Sequence, residues 1–477
     1  MSRFASLLIV TAFWAAIYLP GLGSLEIKGE EGRRILPAVT MLETGNYIVP
    51  QVGSEPYFRK PPLVNWLVAA SFRIFGHRNE WTARLPSALC VLAVAIAFVT
   101  VARAALGVNG SIMAALIWMT NFGMIEKGRL IEIEALYVSL AGLGFICWLS
   151  WWKERRSPWL VWTVPWIFLG LALLAKGPLH LLFFYAIVIV VLCRTGELRQ
   201  VSHPAHFFGI VIMCAIFAAW AIPCLWMMPH SAVAETWSRQ FTGRLAGEDF
   251  HLGGWLMNIP RGLGYFLPWT LLLPFAGTAQ FESERENNLA RGLALGTAIS
   301  FLVVALIPGA LARYNMPLLV PASWLIAIMF TAKTVSWPKA IGERLATPRQ
   351  RFRKVVVVGL IVSTAIWIYA LAIIPRLQHR QKIKTIAAQI DAAVPAAESL
   401  YAVDPDYQPY LFYVGRRLVY VSRLDDVPRD ARYLLVQSAK EWEAEATKRW
   451  APLRARPILQ IKDYRGRRVA ILRIGVS

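Results

Sequence analysis

Acidic and basic side chains occur together in three short stretches of an otherwise apolar chain. The stretches are Glu30-Glu31-Gly-Arg33-Arg34, Arg59-Lys60 and Arg129-Leu-Ile-Glu132-Ile-Glu134. A carboxylate within hydrogen-bond reach can take a proton from an attacking hydroxyl or amine. Lysine, as a point charge, and arginine, as a fork, stabilise the negative charge that develops on a departing phosphate. Residues of these types could therefore carry out a transfer reaction with a phosphate leaving group.

Four single residues in other loops are further candidates for substrate contacts. They are Lys176, Arg239, Arg244 and His251. The two arginines could grip a phosphate, although surface charge explains them equally well. His251 has no spaced partner of the kind that a metal site requires, and no metal-ligand set is predicted. Lys176 stands at a helix end, from which a lysine can simply extend to lipid headgroups.

Long apolar runs must form the elements that position these residues. The chain of 477 residues is 57% hydrophobic, against about 45–50% in soluble domains. Nearly uncharged windows lie at 7–22, 89–101, 181–193 and 355–374, and a bilayer requires helices of about 20 such residues. Because backbone groups in lipid must pair within their own segment, these windows predict helices. We therefore expect an all-α polytopic membrane protein.

The apolar pattern predicts about eleven spans. They cover approximately 5–22, 82–103, 109–125, 133–151, 158–175, 179–194, 206–227, 262–278, 291–308, 314–332 and 354–375. Basic residues cluster between spans at 153–156 and 333–354, as they do in cytoplasmic loops. Because these basic residues lie beside apolar runs, the formal net charge of +21 does not indicate a nucleic-acid partner, and none is expected.

This charge bias predicts the orientation of the chain in a bacterial inner membrane. The N-terminus is expected in the cytoplasm, and the odd number of spans places the C-terminal region in the periplasm. The periplasmic loops are then 23–81, 126–132, 176–178, 228–261 and 309–313. All three charged stretches lie in or beside these loops, so we expect them on one face of the membrane.

The region 376–477 differs in composition and predicts a small periplasmic α/β domain. It is polar, with strand-like runs at 410–414, 417–421, 433–436 and 469–472 and helical runs near 381–393 and 439–450. We therefore expect a membrane domain over 1–375 and a separate domain over 376–477. The latter shows no catalytic motif.

The long first periplasmic loop, 23–81, predicts two short helices lying along the membrane surface. The first covers 30–42 and ends at Thr44-Gly45-Asn46, a typical helix stop. The second covers 63–75 and follows Pro62, a residue suited to a first helical turn. Because amphipathic helices lie in the plane of the interface, Glu30 and Lys60 are expected at headgroup depth.

Five short motifs follow one another in a recognisable order. They are Glu30-Glu31-Gly-Arg33, Tyr57-Phe58-Arg59-Lys60-Pro61-Pro62, Arg129-Leu-Ile-Glu132-Ile-Glu134, Leu174-Ala-Lys176-Gly177-Pro178 and Tyr314-Asn-Met-Pro317. This order resembles the aminoarabinose transferase and protein O-mannosyltransferase group, whose members are membrane glycosyltransferases of the GT-C fold. The aminoarabinose branch is the nearer, and the resemblance covers approximately residues 5–330.

The resemblance implies a role for each matched residue. Glu30 occupies the place of the catalytic aspartate, and Glu134 occupies that of the second acidic residue. Lys60 stands where the family holds the phosphate of the lipid carrier, and Tyr314 stands where a tyrosine assists it. Arg33 matches the arginine of the first loop and is placed with the groups that bind the donor.

The sequence departs from the family pattern at three positions. Glu30 and Glu134 are one methylene longer than the family aspartates. Arg59 replaces a glutamate that can help to hold a metal in the family, so Arg59 is expected to contact the donor phosphate instead. A divalent metal therefore stays possible but is not expected from the residues. Glu31 and Lys176 are taken as additional substrate contacts.

The expected function is transfer of a sugar from a polyprenyl-phosphate donor, with undecaprenyl phosphate as the carrier, at the periplasmic membrane face. The resemblance favours a glycolipid acceptor such as lipid A or lipopolysaccharide. A protein acceptor, as in O-mannosyltransferases, is the alternative within the class. A lipid or sugar transporter is the alternative outside it, although transporters often show paired broken helices in internal repeats, which this sequence lacks.

Overall fold

Apolar helices and an α/β tail both form. A computed structural model describes residues 1–57, 60–228, 250–338, 342–437, 443, 445, 448, 455–463 and 465–475. The α-helices in these residues are α1 Arg3–Tyr18, α2 Gly32–Thr44, α3 Leu63–Phe75, α4 Glu80–Thr100, α5 Arg103–Thr120, α6 Phe122–Lys127, α7 Ile133–Lys153, α8 Pro158–Ala175, α9 Leu179–Thr195, α10 Pro204–Met227, α11 Leu252–Leu256, α12 Asn258–Gly264, α13 Glu284–Leu306, α14 Leu319–Thr331, α15 Pro348–Ile368, α16 Ile374–Gln378 and α17 Ile383–Ala393. The strands are β1 Gln51–Val52, β2 Glu55–Pro56, β3 Ser399–Val403, β4 Arg417–Val421, β5 Tyr433–Gln437, β6 Arg456–Lys462 and β7 Arg468–Arg473.

Within the described residues, seven helical segments are long and apolar enough to cross a membrane, which confirms the predicted fold class. The segments are Glu80–Thr100, Ile133–Lys153, Pro158–Ala175, Pro204–Met227, Glu284–Leu306, Ala312–Thr331 and Pro348–Ala393. Three apolar helices, α1, α3 and α9, are shorter. The predicted span 262–278 is not one helix, because α12 ends at Gly264 and a 3-10 helix covers Trp269–Thr278 around Pro274, a residue that interrupts helical hydrogen bonds. The total of eleven spans stays a prediction.

The chain divides into two compact units. The first unit comprises Met1–Pro20, Arg59–Val64 and Arg84–Ala370, and the second comprises Gly21–Phe58, Asn65–Ala83 and Leu371–Ser477. The first loop therefore groups with the C-terminal region, whereas composition alone assigns it to the membrane part. The domain boundary at 375 stays a prediction.

Packed apolar helices form the first unit. Helix α8 packs against α7 and α10, α9 packs against α13, and α5 packs against α14. Large rings fill the core, with Trp118, Trp148, Trp162 and Trp166 almost fully buried. Burying an aromatic side chain of this size removes about 150–250 Å² from solvent, so these residues fix how the helices pack.

A mixed five-stranded sheet is the core of the second unit. Its order is β4-β3-β5-β7-β6, with β3 parallel to β4 and β5, and β7 antiparallel to β5 and β6. Strands β4, β5 and β7 and helix α17 lie close to where the sequence predicts them. The predicted strand 410–414 is wrong, because a 3-10 helix starting at Pro409 covers Pro409–Phe412. Strands β3 and β6 were not predicted, and the predicted helix 439–450 lies mostly outside the described residues.

Polar contacts join the first loop to the tail inside this unit. The carboxylate of Glu26 accepts hydrogen bonds from the backbone N–H groups of Ile383 and Lys384, at 2.9 and 3.0 Å, and so caps the start of α17. Glu80 accepts a hydrogen bond from the Tyr413 hydroxyl at 3.0 Å and lies 2.6 Å from the ammonium of Lys384. Both carboxylates belong to the loop, and their partners belong to the tail.

Candidate active site

Glu134 is a buried carboxylate at the centre of an ion cluster in the first unit. It stands in the first turn of α7, and its side chain is 9% exposed. Its Oε1 lies 3.3 Å from Nζ of Lys176 and 3.2 Å from Nε of Arg313. Two cations beside one oxygen stabilise the ionised carboxylate. Glu134 is therefore better suited to hold these cations in place than to accept a proton.

The cations reach Glu134 from two breaks in the helical structure. Lys176 directly follows α8, and Arg313 lies in the 3-10 helix Ala312–Leu318 that precedes α14. The Lys176 ammonium also lies 5.1 Å from the ring centre of Tyr137 and 4.8 Å from that of Tyr314, where a ring face attracts a cation. Burial lowers the pKa of Lys176 from its ordinary value, although the charge of Glu134 opposes this fall.

A second ion cluster is adjacent in sequence. Nζ of Lys127, at the end of α6, lies 2.9 Å from the carboxylate of Glu126 and 3.1 Å from that of Glu132. Burial raises the pKa of Glu132, and the charge of Glu134 raises it further. Burial alone would lower the pKa of Lys127, but the charges of Glu132 and Glu126 outweigh it and raise that pKa. Glu132 and Glu134 thus have different cationic partners.

The first motif lies in the second unit, at the start of α2. Glu30 is 45% exposed and accepts a hydrogen bond from Nη1 of Arg33 at 3.0 Å. Glu31 is buried, and its carboxylate accepts a hydrogen bond from the backbone N–H of Lys28. Glu31 therefore helps to form the helix start, whereas Glu30 is accessible to a substrate. The guanidinium of Arg33 lies 3.9 Å from the ring centre of Tyr407.

The structure brings three of the predicted site residues together in the first unit, namely Glu134, Lys176 and Tyr314. Glu30 and Arg33 form a separate pair in the second unit, so a site shared between Glu30 and Glu134 stays a prediction. Lys60 belongs to the first unit and is half-buried, and His251 is exposed. Arg59, Arg239 and Arg244 lie outside the described residues.

The sequence did not reveal two residues of the Glu134 cluster, Arg313 and Tyr137. It also suggested a role in the site for Arg129, which lies outside this cluster. Arg313 directly precedes the Tyr314 motif, and Tyr137 follows Glu134 by three residues, a spacing that shares one helix face. Arg129 was grouped with the acidic residues by proximity in sequence. Its guanidinium instead donates hydrogen bonds to the backbone carbonyls of Ile17 and Pro20, so it caps the C-terminal end of α1.

A metal site is not evident from the residues that the structure describes. None of them form a group of three or more His, Cys, Asp or Glu side chains that could hold a metal ion. A divalent metal therefore stays an expectation from the family resemblance alone, and no reaction step is derived through it.

Comparison with known proteins supports the resemblance seen in the motifs. The family model for dolichyl-phosphate-mannose-protein mannosyltransferase matches residues 59–222. The undecaprenyl phosphate-alpha-4-amino-4-deoxy-L-arabinose arabinosyl transferase 1 of Pseudomonas fluorescens is 26% identical over 333 residues, which are 68% of this chain and 59% of that protein. Transferase 2 of Proteus mirabilis is also 26% identical over 333 residues, covering 67% of this chain and 58% of the relative. The aligned region thus spans less than two thirds of these relatives.

The structural likeness extends over nearly the whole chain. The crystal structure of ArnT from Cupriavidus metallidurans bound to undecaprenyl phosphate matches with a TM-score of 0.72 and 16% identity, covering 98% of this chain and 97% of that one. The apo structure of the same protein matches with a TM-score of 0.69 and 17% identity. The chain therefore has the fold of ArnT, and its predicted resemblance to ArnT-like GT-C proteins is confirmed.

Proposed function

We propose that this chain is a glycosyltransferase that moves a sugar from a polyprenyl-phosphate carrier to an acceptor at the membrane surface. The observation that carries the proposal is the cluster of Lys176 and Arg313 around the buried Glu134, beside Tyr314, in a chain with the ArnT fold. In the cluster two cations lie beside one carboxylate, and cations of these types bind phosphates. The relatives named above act, by their names, on an undecaprenyl-phosphate sugar, and we infer that this carrier is also the donor here.

The reaction follows from the charges of these side chains. The acceptor oxygen or nitrogen attacks the anomeric carbon, and the bond from that carbon to the carrier phosphate oxygen breaks. The bond's electron pair leaves with the phosphate, and Lys60, Arg59, Lys176 and Tyr314 are the groups proposed to stabilise it. Glu30 takes the acceptor proton, because it is accessible while it accepts a hydrogen bond from the Arg33 guanidinium. A single displacement of this kind inverts the configuration of the sugar.

The ion pairs support different roles for the two glutamates. Glu30 keeps part of its surface exposed, so an acceptor hydroxyl or amine can reach it. Glu134 is buried between two cations and is proposed to orient them toward the donor. Arg33 contacts Glu30 directly at 3.0 Å, which fits an orienting role for Arg33 in addition to the donor contact predicted from the sequence.

We place the protein in the bacterial inner membrane, with the N-terminus in the cytoplasm and the second unit in the periplasm. The distribution of Lys and Arg between the loops supports this orientation. A lipid-linked donor fits this side of the membrane, because its polyprenyl tail stays in the bilayer while its sugar is presented to the periplasm. The proposed acceptor is a glycolipid such as lipid A, and a protein hydroxyl is the second candidate, favoured by the match to the mannosyltransferase family model.

Transfer by the purified full-length chain in nanodiscs tests this proposal. Undecaprenyl-phosphate-linked aminoarabinose and mannose are supplied as donors, each with lipid A or with a Ser/Thr-rich peptide, and products are identified by mass spectrometry. The expected product is a lipid A molecule that has gained one sugar. A modified peptide would show instead that the acceptor is a protein.

A transport control separates chemistry from movement of the carrier. The same chain is reconstituted into vesicles with a labelled donor in one leaflet, and both translocation and transfer are measured. Translocation without any sugar transfer, with all donor and acceptor pairs, would show a transporter and overturn the proposed enzyme. Lipid analysis of envelopes from cells with and without the protein then identifies the natural product.

A further inference from the structure

The tail contributes an aromatic residue to the predicted catalytic motif of the first loop. The ring of Tyr407 lies in the turn that follows β3, and the guanidinium of Arg33 stacks over it at 3.9 Å. The same guanidinium donates to Glu30 at 3.0 Å. Arg33 is thus held on one side by the carboxylate proposed as the base and on the other by a tail ring.

The backbone at the start of α2 is shaped for this contact. A Cβ atom at Gly32 would lie 2.5 Å from the carbonyl oxygen of Tyr407, closer than non-bonded atoms approach. Only glycine therefore lets the turn containing Tyr407 approach the residue directly before Arg33. The contact therefore depends on both segments: the tail supplies the ring of Tyr407, and the first loop supplies a glycine, Gly32, where any side chain would clash.

A second arginine, Arg465 of the tail, contacts the Tyr407 ring and hydroxyl. Nη2 of Arg465 donates to the Tyr407 hydroxyl at 3.2 Å, and its guanidinium lies 5.3 Å from the ring centre. Arg465 stands in the β6–β7 turn, where the buried carboxylate of Asp463 accepts hydrogen bonds from the backbone N–H groups of Arg465 and Arg467, each at 2.8 Å. The turn is therefore ordered by its own hydrogen bonds and can support the ring.

We propose that Tyr407 is a positioning residue of the transfer reaction, which acts by orienting Arg33 and, through Arg33, the carboxylate of Glu30. The proposal rests on the proposed glycosyl transfer and gives the C-terminal region a part in it. A ring face attracts a cation that lies over it and so favours one orientation of the guanidinium. Loss of the ring is therefore expected to slow transfer about tenfold, without removing any group that touches the donor.

The test compares Tyr407→Leu, Tyr407→Phe and the matched control Tyr401→Leu in single-turnover transfer. Tyr401 lies in β3 and packs against the apolar cluster of the sheet, so its substitution disturbs the same domain without removing the ring beside Arg33. We expect Tyr407→Leu to slow transfer about tenfold and Tyr407→Phe to stay within about threefold of the unchanged chain, because it keeps the ring face. Rates are normalised to the folded fraction found by size exclusion and thermal melting.

A double substitution separates positioning from simple destabilisation. In an Arg33→Gln background the cation over the ring is gone, so Tyr407→Leu is expected to cause little further loss. Additive losses, an equal loss with Tyr407→Phe, or an equal loss with Tyr401→Leu would each overturn the proposal. If Arg33→Gln transfers too slowly to measure, the comparison of Phe with Leu at Tyr407 decides. Absence of transfer by the unchanged chain would instead contradict the proposed function itself.

Discussion

A single carboxylate oxygen of Glu134 lies beside both Lys176 and Arg313, and this double contact determines what a substitution there should do. Glu134→Gln keeps the size of the side chain but leaves Lys176 and the partly exposed Arg313 without that charge. We expect transfer to fall by roughly 100-fold and the melting temperature to fall, because breaking a buried ion pair leaves an uncompensated charge. Single-turnover transfer and thermal melting in detergent measure both effects.

Glu132→Gln is the matched control for that substitution. Glu132 is two residues away, contacts Lys127, and leaves that lysine its second carboxylate partner, Glu126. Transfer by Glu132→Gln should therefore stay within about threefold of the unchanged chain, a smaller loss than at the doubly paired site. If Glu132→Gln proved the more damaging of the two, the catalytic motif would be centred on Glu132.

The buried Lys176 predicts a pH dependence of donor binding. Its pKa is lowered by burial, so its ammonium loses its charge at a lower pH than an ordinary lysine would. If this charge helps to bind the carrier phosphate, donor affinity should weaken as pH rises through the lowered pKa. Lys176→Arg should remove this alkaline decline, since arginine stays charged. Donor affinity measured from pH 7 to pH 10 in both proteins tests this, and an identical decline in both would exclude Lys176 as its cause.

Proton removal and donor binding should separate at Glu30 and Lys60. Glu30→Gln keeps the hydrogen bonding of the side chain but cannot take a proton, so transfer should fall by roughly 100-fold while the donor still binds. Lys60→Ala should weaken donor binding and also slow transfer, because one charge serves both steps. Glu30→Asp restores the residue type of the family with a shorter reach and serves as the control. Near-normal transfer by Glu30→Gln would remove Glu30 as the base.

For single residues, the sequence predicted which side chains belong to the site better than it predicted their contacts. Glu134, Lys176 and Tyr314 were all selected, Glu134 as a charge beside an apolar run and Lys176 and Tyr314 from the resemblance to the aminoarabinose transferase group. The role of Arg313 was not predictable, because its contact with Glu134 joins residues about 180 positions apart in the chain. Arg129 shows the converse, since an arginine near two glutamates in sequence instead donates to the backbone at the C-terminal end of α1.

Among the elements, helix α2 ends where local signals predict. It ends at Thr44, and Gly45 follows with φ +73°, the left-handed conformation in which glycine ends a helix. Its start is set by distant chain, because the turn at Tyr407 packs against Gly32. Local signals of this kind cannot reveal a partner more than 370 residues away. The unpredicted strand β6 is similar, since it depends on pairing with β7.

Gly32→Ala tests the packing at the start of α2. The new methyl group would meet the Tyr407 carbonyl oxygen at 2.5 Å, and backbone on both sides leaves little room to yield. Overpacking of this kind typically costs about 1–3 kcal/mol, so the melting temperature should fall. Gly277→Ala, where no atom lies within 4 Å of the added carbon, is the matched control and should melt close to the unchanged chain. Equal melting of the two variants would show that the turn at Tyr407 does not press on α2.

On the scale of the whole molecule, composition predicted the class of protein and the order of its parts. Apolar length is a property of each segment alone, so most helices of the first unit are close to their predicted positions. Composition did not predict that the first loop and the tail form one compact unit. That grouping depends on specific contacts, such as those of Glu26 with the start of α17, which leave no periodic signal in either segment.

The proposed chemistry depends on the predicted orientation of the chain in the membrane. A lipid-linked donor and a periplasmic acceptor require the second unit to lie in the periplasm. Ser157 lies between α7 and α8, next to the basic stretch 153–156, and Asp430 lies in the second unit, and both are exposed. In a background without the native cysteines, Ser157→Cys should be labelled by a membrane-impermeant thiol reagent only after the cells are opened. Asp430→Cys should be labelled in intact cells whose outer membrane alone is permeabilised. The basic loops resist translocation, which is the physical reason for the difference. Labelling of both positions from the same side would require an even number of spans between them, and would separate the tail from the periplasmic face on which transfer is proposed to occur.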